Sequence, residues 1–402
     1  MKALQINSVC GIGSTGRITV DIHEVLKEQG HESYISYGRD LSKNCDTSIK
    51  IGNKLDNYMH VAKTRILDKH GFGSRRATED FVNKVEIINP DIVHLHNIHG
   101  YYVNIELLFE YLKDQNKSVI WTLHDCWSFT GHCSHFDNIS CDKWKIECYN
   151  CPQKKSYPSS MLVDDSKNNY RRKKQIFRGV NNLTIVVPSR WLRELVRESF
   201  LSEYPIKIIN NGIDLEVFKP TVSNFREKYN LNNKFVILGV ANIWNREKGL
   251  DYFIELSNRL NKDEVIVIVG LTEKQKKQLP YNIIGITKTN NIQQLAKIYS
   301  SADVFINPTL QEVMGLVNIE SLACGTPVIT FNTGGSSECV DEGCGFIVEK
   351  GNLESLVDTI RKVKFAGKKE YSEECIHRAR RLYDKKDRFN DYLNLYKEII
   401  CL

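Results

Sequence analysis

The sequence predicts an α/β protein built from two doubly wound domains in tandem. Short apolar runs rich in β-branched residues alternate with stretches of helical periodicity along most of the 402 residues. The runs fall into two series with a break between about 188 and 220, and the length suits two domains of about 200 residues. Apolar residues make up 41% and charged residues 26% of the chain, which excludes a disordered or fibrous protein.

The first series supplies the predicted N-terminal domain, 1–200. Its predicted strands are 3–7, 34–37, 91–96, 118–123, 183–187 and 206–209. Helical patterns cover the stretch from about 13 to 29, then 54–69, 77–88, 104–113 and 190–199. Strands that are apolar throughout and are joined by helices are typical of a parallel sheet covered on both faces.

The second series supplies the predicted C-terminal domain, 201–382. Its predicted strands are 235–240, 265–269, 282–286, 303–307, 327–331 and 345–348, and its helices are 250–260, 292–299, 316–323 and 353–363. Apolar residues at helical spacing near the end predict a terminal helix over 383–402. In such folds we expect ligands at the carboxyl ends of the strands, in a cleft between the domains.

Charge and cysteine content limit the protein class. No run of 18 apolar residues is present and the N-terminus turns polar too early for a signal peptide, so we expect a cytoplasmic protein. The net charge of +6 is too small to indicate nucleic-acid binding. Twelve cysteines in a reducing compartment favour buried thiols or a metal over disulfides.

A glycine-rich turn follows the first strand, with Gly11, Gly13 and Gly16 in G-x-G-x-x-G spacing. This spacing lets a backbone approach a pyrophosphate at a helix N-terminus. A dinucleotide site also requires an acid at the end of the second strand, where none occurs until Asp40. A simple tight turn, a dinucleotide site and a loop facing a phosphorylated ligand all fit the pattern.

The most informative segment is 308–329, in which Glu312 lies in a loop and Glu320 lies in the helix that follows. A carboxylate accepts vicinal sugar hydroxyls in charge-assisted hydrogen bonds of roughly 1.5–3 kcal/mol each. The exposed amides of Gly315, Leu316 and Val317 suit a diphosphate at the helix start. A surface helix with two solvated acids is the alternative for an isolated E-x7-E pair.

Segment 308–329 resembles the E-x7-E region of retaining GT-B glycosyltransferases of family 4, the group 1 transferases. Segments 211–220, 246–250, 301–309 and 332–335 resemble further motifs of that family in the same order, so the resemblance spans nearly the whole chain. It implies two Rossmann-like domains facing a central cleft, with a C-terminal helix that returns to the first domain. It also implies transfer of a sugar from a nucleotide-diphosphate donor without a catalytic metal.

The resemblance assigns roles by position. Glu320 corresponds to the residue that holds the ribose, Glu312 to one that holds the transferred sugar, and Lys248 to the cation on the diphosphate. Family members often have an arginine six residues before that lysine; here the position is Asn242, and Arg246 is the nearby replacement. The predicted substrate-binding residues are Gly13, Gly16, Asn242, Arg246, Gly285, Gly315, Leu316, Val317 and Glu320.

His124 ends a strand of the first domain and resembles the family histidine that faces the donor sugar. It completes the predicted catalytic set with Lys248 and Glu312. Three other histidines, His94, His96 and His99, alternate along and just beyond a second strand. They could bind a metal, but we interpret them as cleft or core residues.

Four cysteines lie close together in a predicted insertion, 126–155. Cys133, Cys141, Cys148 and Cys151 have the spacing C-x7-C-x6-C-x2-C. Four thiolates that include a C-x2-C pair suit tetrahedral zinc, which would hold an irregular loop in place. Four packed thiols without metal are the alternative.

A basic run follows, with ten Lys or Arg against three acids over residues 143–178. Such a run is usually a solvated surface, but it also fits peripheral contact with anionic lipid. The resemblance to family 4 implies a glycosyltransferase acting on a glycan or lipid-linked glycan in bacterial capsule, exopolysaccharide or O-antigen synthesis. The alternatives are a nucleotide-sugar epimerase, a sugar-phosphate synthase, or a zinc-dependent docking module on an inactive scaffold.

Overall fold

The computed structural model describes residues 1–400 and divides into two units. One unit is Met1–Ile209 with the segment from Arg388 onward, and the other is Asn210–Asp387. Each unit is a parallel sheet covered by helices, so the prediction of two doubly wound α/β domains is confirmed. No helix in the described part of the chain is both long and apolar enough to cross a bilayer.

The first unit contains seven strands. The elements in chain order are β1 (Lys2–Asn7), α1 (Gly13–Glu28), β2 (Glu32–Tyr37), β3 (Ser48–Lys50), α2 (Lys54–Leu67), α3 (Arg75–Ile88), β4 (Ile92–Leu95), α4 (Ile105–Asp114), β5 (Ser118–Thr122), α5 (Ser166–Phe177), β6 (Leu183–Val187), α6 (Arg190–Glu198) and β7 (Ile206–Ile208). The strand order is β3-β2-β1-β4-β5-β6-β7, with every pair parallel. The order reverses between β1 and β4, and ligands of doubly wound sheets bind at the carboxyl ends of such strands.

The second unit contains six strands. Its elements are α7 (Phe225–Lys228), β8 (Phe235–Val240), α8 (Leu250–Ser257), β9 (Glu264–Val269), α9 (Glu273–Gln278), β10 (Ile283–Ile286), α10 (Ile292–Ser301), β11 (Val304–Asn307), α11 (Leu316–Ala323), β12 (Val328–Phe331), β13 (Gly345–Val348), α12 (Leu353–Ala366) and α13 (Lys369–Tyr383). The strand order is β10-β9-β8-β11-β12-β13 and all pairs are parallel. Here the order reverses between β8 and β11, the strands that precede Lys248 and Glu312.

The last helix, α14 (Lys385–Ile400), packs its apolar side into the core of the first unit. Phe389, Tyr392 and Tyr396 are each at most 2% exposed and contact the same cluster as residues of β1 and α1. Burying a side chain of this size stabilises a fold by about 1.5–3 kcal/mol. This is the helix expected to return to the first domain.

Several elements were not expected from the sequence. Edge strand β3 has only three residues, and α5 and α13 are strongly polar helices with few apolar residues. Helix α5 buries Tyr170, Lys173 and Phe177, a narrow strip in a basic segment. These elements depend on tertiary contacts, which a local pattern does not record.

Candidate active site

The acidic loop of the second unit connects β11 to α11. Helix α11 begins at Leu316 after Gly315, and no side chain caps its first amides. Uncapped amides at a helix start carry partial positive charge and bind anions. Glu312 and Glu320 are both partly exposed. Glu312 precedes the first residue of α11 in the chain, and Glu320 lies within the helix.

Lys248 is the cation that reaches the acidic loop. Its Nζ lies 2.7 Å from Glu312 Oε2, and both side chains keep part of their surface open to solvent. Glu312 Oε1 accepts from the Val313 amide at 3.1 Å. The structure thus joins two of the three predicted catalytic residues, 64 positions apart in sequence, in one ion pair.

Two glycines allow neighbouring loops to approach closely. A Cβ at Gly249 (φ +79°) would lie 2.3 Å from the Pro308 backbone oxygen, and a Cβ at Gly334 (φ +51°) would lie 1.9 Å from the Glu312 backbone oxygen. The Gly335 amide donates to the same Glu312 oxygen at 3.0 Å. Since no other residue fits at these approaches, glycine fixes the backbone that presents Lys248 and Glu312.

A buried polar network supports the start of α11 and was not found from the sequence. Asn318 donates to Ser336 Oγ at 2.9 Å and accepts from Asn307 at 2.8 Å. Ser336 Oγ also lies 2.7 Å from Thr330 Oγ1. All four side chains are at most 6% exposed. The only feature of the sequence that could have indicated this network is that these polar residues lie within apolar segments.

Glu320 is oriented by a tyrosine from α10. The Tyr299 hydroxyl donates to Glu320 Oε2 at 3.0 Å. Burial, followed by the nearby Glu320 charge, raises the pKa of Tyr299 well above its ordinary value, so this hydroxyl remains a donor. The carboxylate is therefore held in one direction at the edge of the helix.

The remaining predicted donor-site residues lie in different places. Asn242 and Arg246 are exposed in the loop between β8 and α8, and the Arg246 side chain forms no ion pair with the described residues. Gly285 lies within edge strand β10, next to Leu279. Strand β10 is separated from β11 by β9 and β8, so Gly285 lies at the edge of the sheet. Arg246, in contrast, lies in the same loop as Lys248.

In the first unit, His124 follows β5 and takes part in a chain of hydrogen bonds. Its Nε2 lies 3.1 Å from His96 Nδ1, and His96 Nε2 lies 3.2 Å from Gln5 Oε1. Gln5 donates its amide to the Thr19 oxygen at 2.9 Å, so its own oxygen faces His96. His96 therefore carries its proton on Nε2 and accepts from His124 at Nδ1. This arrangement leaves the lone pair of His124 on Nδ1.

Burial also sets the charge of these groups. It lowers the pKa of His124 to about 4, with Asp125 opposing and His99 adding to the effect. Burial acts to raise the pKa of Asp125, but His99, whose Nε2 lies 2.8 Å from Oδ2, contributes to lowering it to about 2. His124 is neutral and Asp125 is charged at neutral pH. No pattern in the sequence indicated Gln5 or His99 as partners.

The strand histidines do not meet at a common point. His94 is buried between Tyr396 Oη, 2.5 Å from its Nδ1, and Thr122 Oγ1, 2.7 Å from its Nε2. His96 faces Gln5 and His124 instead. His94, His96 and His99 are all at most 7% exposed, and their interpretation as cleft or core residues stays a prediction.

The glycine turn of the first unit is a tight strand-to-helix connection. Gly13 begins α1 and Gly16 lies in its first turn, where its oxygen accepts from the Gly11 amide at 2.8 Å. The helix start has no side-chain cap and no acid in its first turn. A role for Gly13 and Gly16 in substrate binding stays a prediction.

The cysteine-rich segment lies in the connection from the end of β5 to α5. The Cys133 and Cys151 thiols adjoin each other, and Cys148 accepts from the Gly131 amide at 3.2 Å. With Cys141 they line a cavity of about 20 Å³. Within the described chain, no three of these sulfurs all lie within 4.8 Å of one another. The thiols gather around one small space, and zinc there stays a prediction.

Aromatic packing supports this segment independently of a metal. Phe136 stacks on Trp144 at 4.9 Å between ring centroids, and Phe129 adjoins both. Lys173 of α5 is fully buried beneath it, donating to the Trp127 and Thr130 oxygens at 2.6 and 3.0 Å. Burial lowers the pKa of Lys173 to about 7.

The basic run of 143–178 is largely neutralised. Five of its ten basic residues pair with carboxylates: Lys145, Lys167, Arg171, Arg172 and Arg178. Lys173 is buried, and Lys143 donates to two backbone oxygens. The run is therefore a weaker candidate for lipid contact than its charge count indicated.

Comparison with known families identifies the family to which the chain belongs. A model described as "Glycosyltransferase Family 4" matches residues 15–217, half of the chain, and one described as "Glycosyl transferases group 1" matches 234–364. The chain belongs to the family 4, group 1 glycosyltransferases, and its two parallel-sheet units have the GT-B fold. The resemblance seen in the motifs is thereby confirmed.

Similar proteins include two from Escherichia coli. The putative colanic acid biosynthesis glycosyl transferase WcaC of strain K12 is 24% identical, covering 99% of this chain and 100% of its own. The UDP-Gal:alpha-D-GlcNAc-diphosphoundecaprenol alpha-1,3-galactosyltransferase is 30% identical over 42% of this chain and 47% of its own. Among solved structures, Anabaena HepE in complex with UDP-glucose has a TM-score of 0.67 at 14% identity, covering 99% and 100%.

Proposed function

We propose that this glycosyltransferase moves a sugar from a uridine-diphosphate donor to a hydroxyl of a glycan or lipid-linked glycan, with retention of configuration. The observation that carries the proposal is the Lys248–Glu312 pair, 2.7 Å apart, beside the uncapped start of α11. A cation next to free amides suits a diphosphate that gains charge as the glycosidic bond breaks. Stabilising such developing charge is usually the largest catalytic contribution.

Each part of the donor has a matching group in the second unit. The amides of Leu316 and Val317 and the Lys248 ammonium receive the diphosphate, and Arg246, exposed in the same loop as Lys248, adds a second cation in place of the absent arginine at Asn242. Glu320, oriented by Tyr299, accepts the ribose hydroxyls. The names of the galactosyltransferase and of the HepE complex support UDP as the carrier.

Retention follows if the acceptor hydroxyl attacks on the face that the diphosphate leaves. Glu312 then holds a hydroxyl of the transferred sugar and is neither nucleophile nor base, which fits its fixed position between Lys248 and the Val313 amide. Lys248 stabilises the leaving group, and no step is assigned to a metal. We expect His124 Nδ1 to accept from a sugar hydroxyl, because its other nitrogen is a donor to His96.

The acceptor is proposed to be a lipid-linked glycan of polysaccharide synthesis. The name of the galactosyltransferase gives a diphosphoundecaprenol-linked acceptor for that protein, and the name of WcaC gives colanic acid biosynthesis. Helix α2 provides a surface for that lipid. Its exposed side has apolar residues at helical spacing: Leu55, Tyr58, Met59 and Ile66. The Met161 amide donates to the Arg65 oxygen at 2.7 Å, which places exposed Met161 and Leu162 alongside.

This surface suits an anionic bilayer. Lys54, Lys63 and Arg65 lie on the same helix, and each basic group near such a surface contributes about 1 kcal/mol. We expect the full chain to co-sediment with phosphatidylglycerol vesicles and L55E/M59E to lose most of that binding. The control is F365E, since Phe365 is an exposed apolar residue of the other unit. Equal binding by L55E/M59E and the control would contradict this assignment.

Donor binding is tested by thermal shift with a panel of UDP- and GDP-sugars and with NADPH. Stabilisation by one UDP-sugar that is lost in K248M supports the proposal. Stabilisation by NADPH alone, or by no nucleotide sugar, would overturn it. Formation of an isomerised nucleotide sugar or of a disaccharide phosphate without any glycan acceptor would favour an epimerase or a sugar-phosphate synthase instead, and binding without turnover would favour an inactive docking scaffold.

A further inference from the structure

A second group of metal-binding side chains lies beside α1, far in sequence from the four clustered cysteines. His23 of α1 points its Nε2 at two residues of the segment that connects β2 to β3. It lies 3.8 Å from Cys45 Sγ and 3.5 Å from Asp46 Oδ1. Among the residues that the structure describes, this is the trio of His, Cys and acidic ligands whose donor atoms all lie within 4.8 Å of one another.

A fourth ligand adjoins this trio. Cys10 is fully buried after β1, and its thiol adjoins the Cys45 thiol. The Lys43 amide donates to the Cys10 oxygen at 3.2 Å, which holds the two segments together. The group thus offers one imidazole, two thiols and one carboxylate from three separate parts of the chain.

The spacing of these atoms fits a small tetrahedral ion. Zinc binds sulfur at about 2.3 Å and imidazole nitrogen at about 2.0–2.1 Å, so tetrahedral ligands lie roughly 3.5 Å apart for N and S and roughly 3.3 Å apart for N and O. The observed separations of 3.8 and 3.5 Å from His23 Nε2 are within a few tenths of these values. The three atoms of the trio therefore need little movement to close on an ion, and the Cys10 thiol would move toward them from beside Cys45 to complete four ligands.

Two further side chains direct the ligands. His23 Nδ1 lies 2.9 Å from Ser33 Oγ; if Nδ1 donates there, the lone pair is on Nε2. Lys27 Nζ binds Asp46 Oδ2 at 2.6 Å, so Oδ1 is the oxygen that faces His23. Outer partners of this kind fix the tautomer and direction of metal ligands. The Lys27 charge also offsets the net negative charge that two thiolates and a carboxylate would leave around Zn²⁺.

We propose that His23, Cys45, Asp46 and Cys10 form a structural binding site for a thiophilic divalent cation, Zn²⁺. With four protein ligands the site is closed, so it is structural rather than catalytic. The ion joins the β2–β3 segment to α1 and to Cys10, the residue immediately before the glycine turn. It therefore fixes the position of the turn that contains Gly13 and Gly16.

The test uses the full chain, stripped with a chelator and reloaded with Zn²⁺ or Co²⁺. To separate the two cysteine groups, the measurements are made in a C148S/C151S background. We expect one zinc per chain by elemental analysis after gel filtration, and a thiolate-to-Co²⁺ charge-transfer band on cobalt loading. H23Q and C45S should lose the zinc and the band, whereas H377Q, at an exposed histidine of α13, should keep both.

D46A gives a readout that does not depend on a buried substitution, because the Asp46 side chain is 66% exposed. It should fold normally and bind Zn²⁺ at least 10-fold more weakly in a competition titration with a chromogenic chelator. Unchanged metal content in H23Q and C45S would overturn the proposal. So would cobalt binding without the thiolate band, because the ion would then be bound away from Cys45 and Cys10.

Discussion

Replacing Glu320 by glutamine separates its contact with the ribose from its structural contact with Tyr299. The amide oxygen of the introduced side chain can still accept from the buried Tyr299 hydroxyl, which in the native protein donates to Glu320 Oε2 at 3.0 Å. The charge, however, is lost. Because an unsatisfied buried hydroxyl costs about 1–3 kcal/mol, E320A should lower the free energy of unfolding by that amount, while E320Q should leave it nearly unchanged.

The binding effect follows from the charge. Hydrogen bonds to a carboxylate are worth roughly 1.5–3 kcal/mol and neutral ones roughly 0.5–1.5 kcal/mol, so two ribose hydroxyls lose about 2 kcal/mol in E320Q. That corresponds to about a 30-fold increase in Kd for UDP. The Kd is measured by isothermal titration calorimetry. The matched control is Y299F, which removes the hydroxyl that donates to Glu320 but keeps the carboxylate.

A ligand lacking the hydroxyls provides the decisive comparison. Wild-type protein should bind UDP more tightly than 2′,3′-dideoxy-UDP, and E320Q should lose most of this preference. If E320Q weakens both ligands equally, or neither, Glu320 does not hold the ribose.

Three further predictions concern other groups. K248M should lower kcat by about 10²- to 10³-fold with little change in melting temperature, and K248R should recover part of it, as measured by initial rates of UDP release. Because the pKa of His124 is lowered to about 4 in the folded state, the unfolded chain binds an extra proton between about pH 6.5 and 4, so stability falls as the pH is lowered through that window. H124N should lose up to about 1.4 kcal/mol per pH unit of that dependence, as measured by urea unfolding across the window. If zinc occupies the cysteine-rich segment, C148S/C151S should lose one zinc by elemental analysis and melt at a lower temperature.

These three predictions fail in different ways. Equal rates for K248M and wild type would remove Lys248 from leaving-group stabilisation. Identical pH slopes for H124N and wild type would mean that His124 is not the neutral buried group described. If C148S/C151S contains as much zinc as the wild type, the segment holds four packed thiols without a metal.

The fold was predictable because its strands are apolar along their whole length. Strands β1, β4, β5, β8 and β11 are buried on both faces of their sheets, and this produces runs that a local pattern detects. Helices α5 and α13 were not predicted because each buries only a few side chains among many charged residues. Edge strand β3 was not predicted because its three partly exposed residues show no pattern of alternation.

For the candidate site, the sequence indicated which residues belong to it but not which of them contact one another. The motif spacing indicated Glu312, Glu320 and Lys248, but the ion pair between Lys248 and Glu312 depends on two loops that meet in the folded unit. Gln5 and Asn318 could not be found, since a single polar residue in an apolar run does not identify its partner. Likewise, the proposed ligands His23, Cys45 and Asp46 come together only because the β2–β3 segment runs along α1.

The anomeric configuration of the product tests the proposed retaining transfer most directly. The full chain is incubated with the UDP-sugar that stabilises it most, and proton NMR follows the sugar first released by slow hydrolysis, before mutarotation. From an α-linked donor we expect the α anomer together with UDP, and K248M should release neither at a comparable rate. Initial release of the β anomer would contradict the retaining mechanism, and no release of UDP from any donor would contradict the proposed reaction.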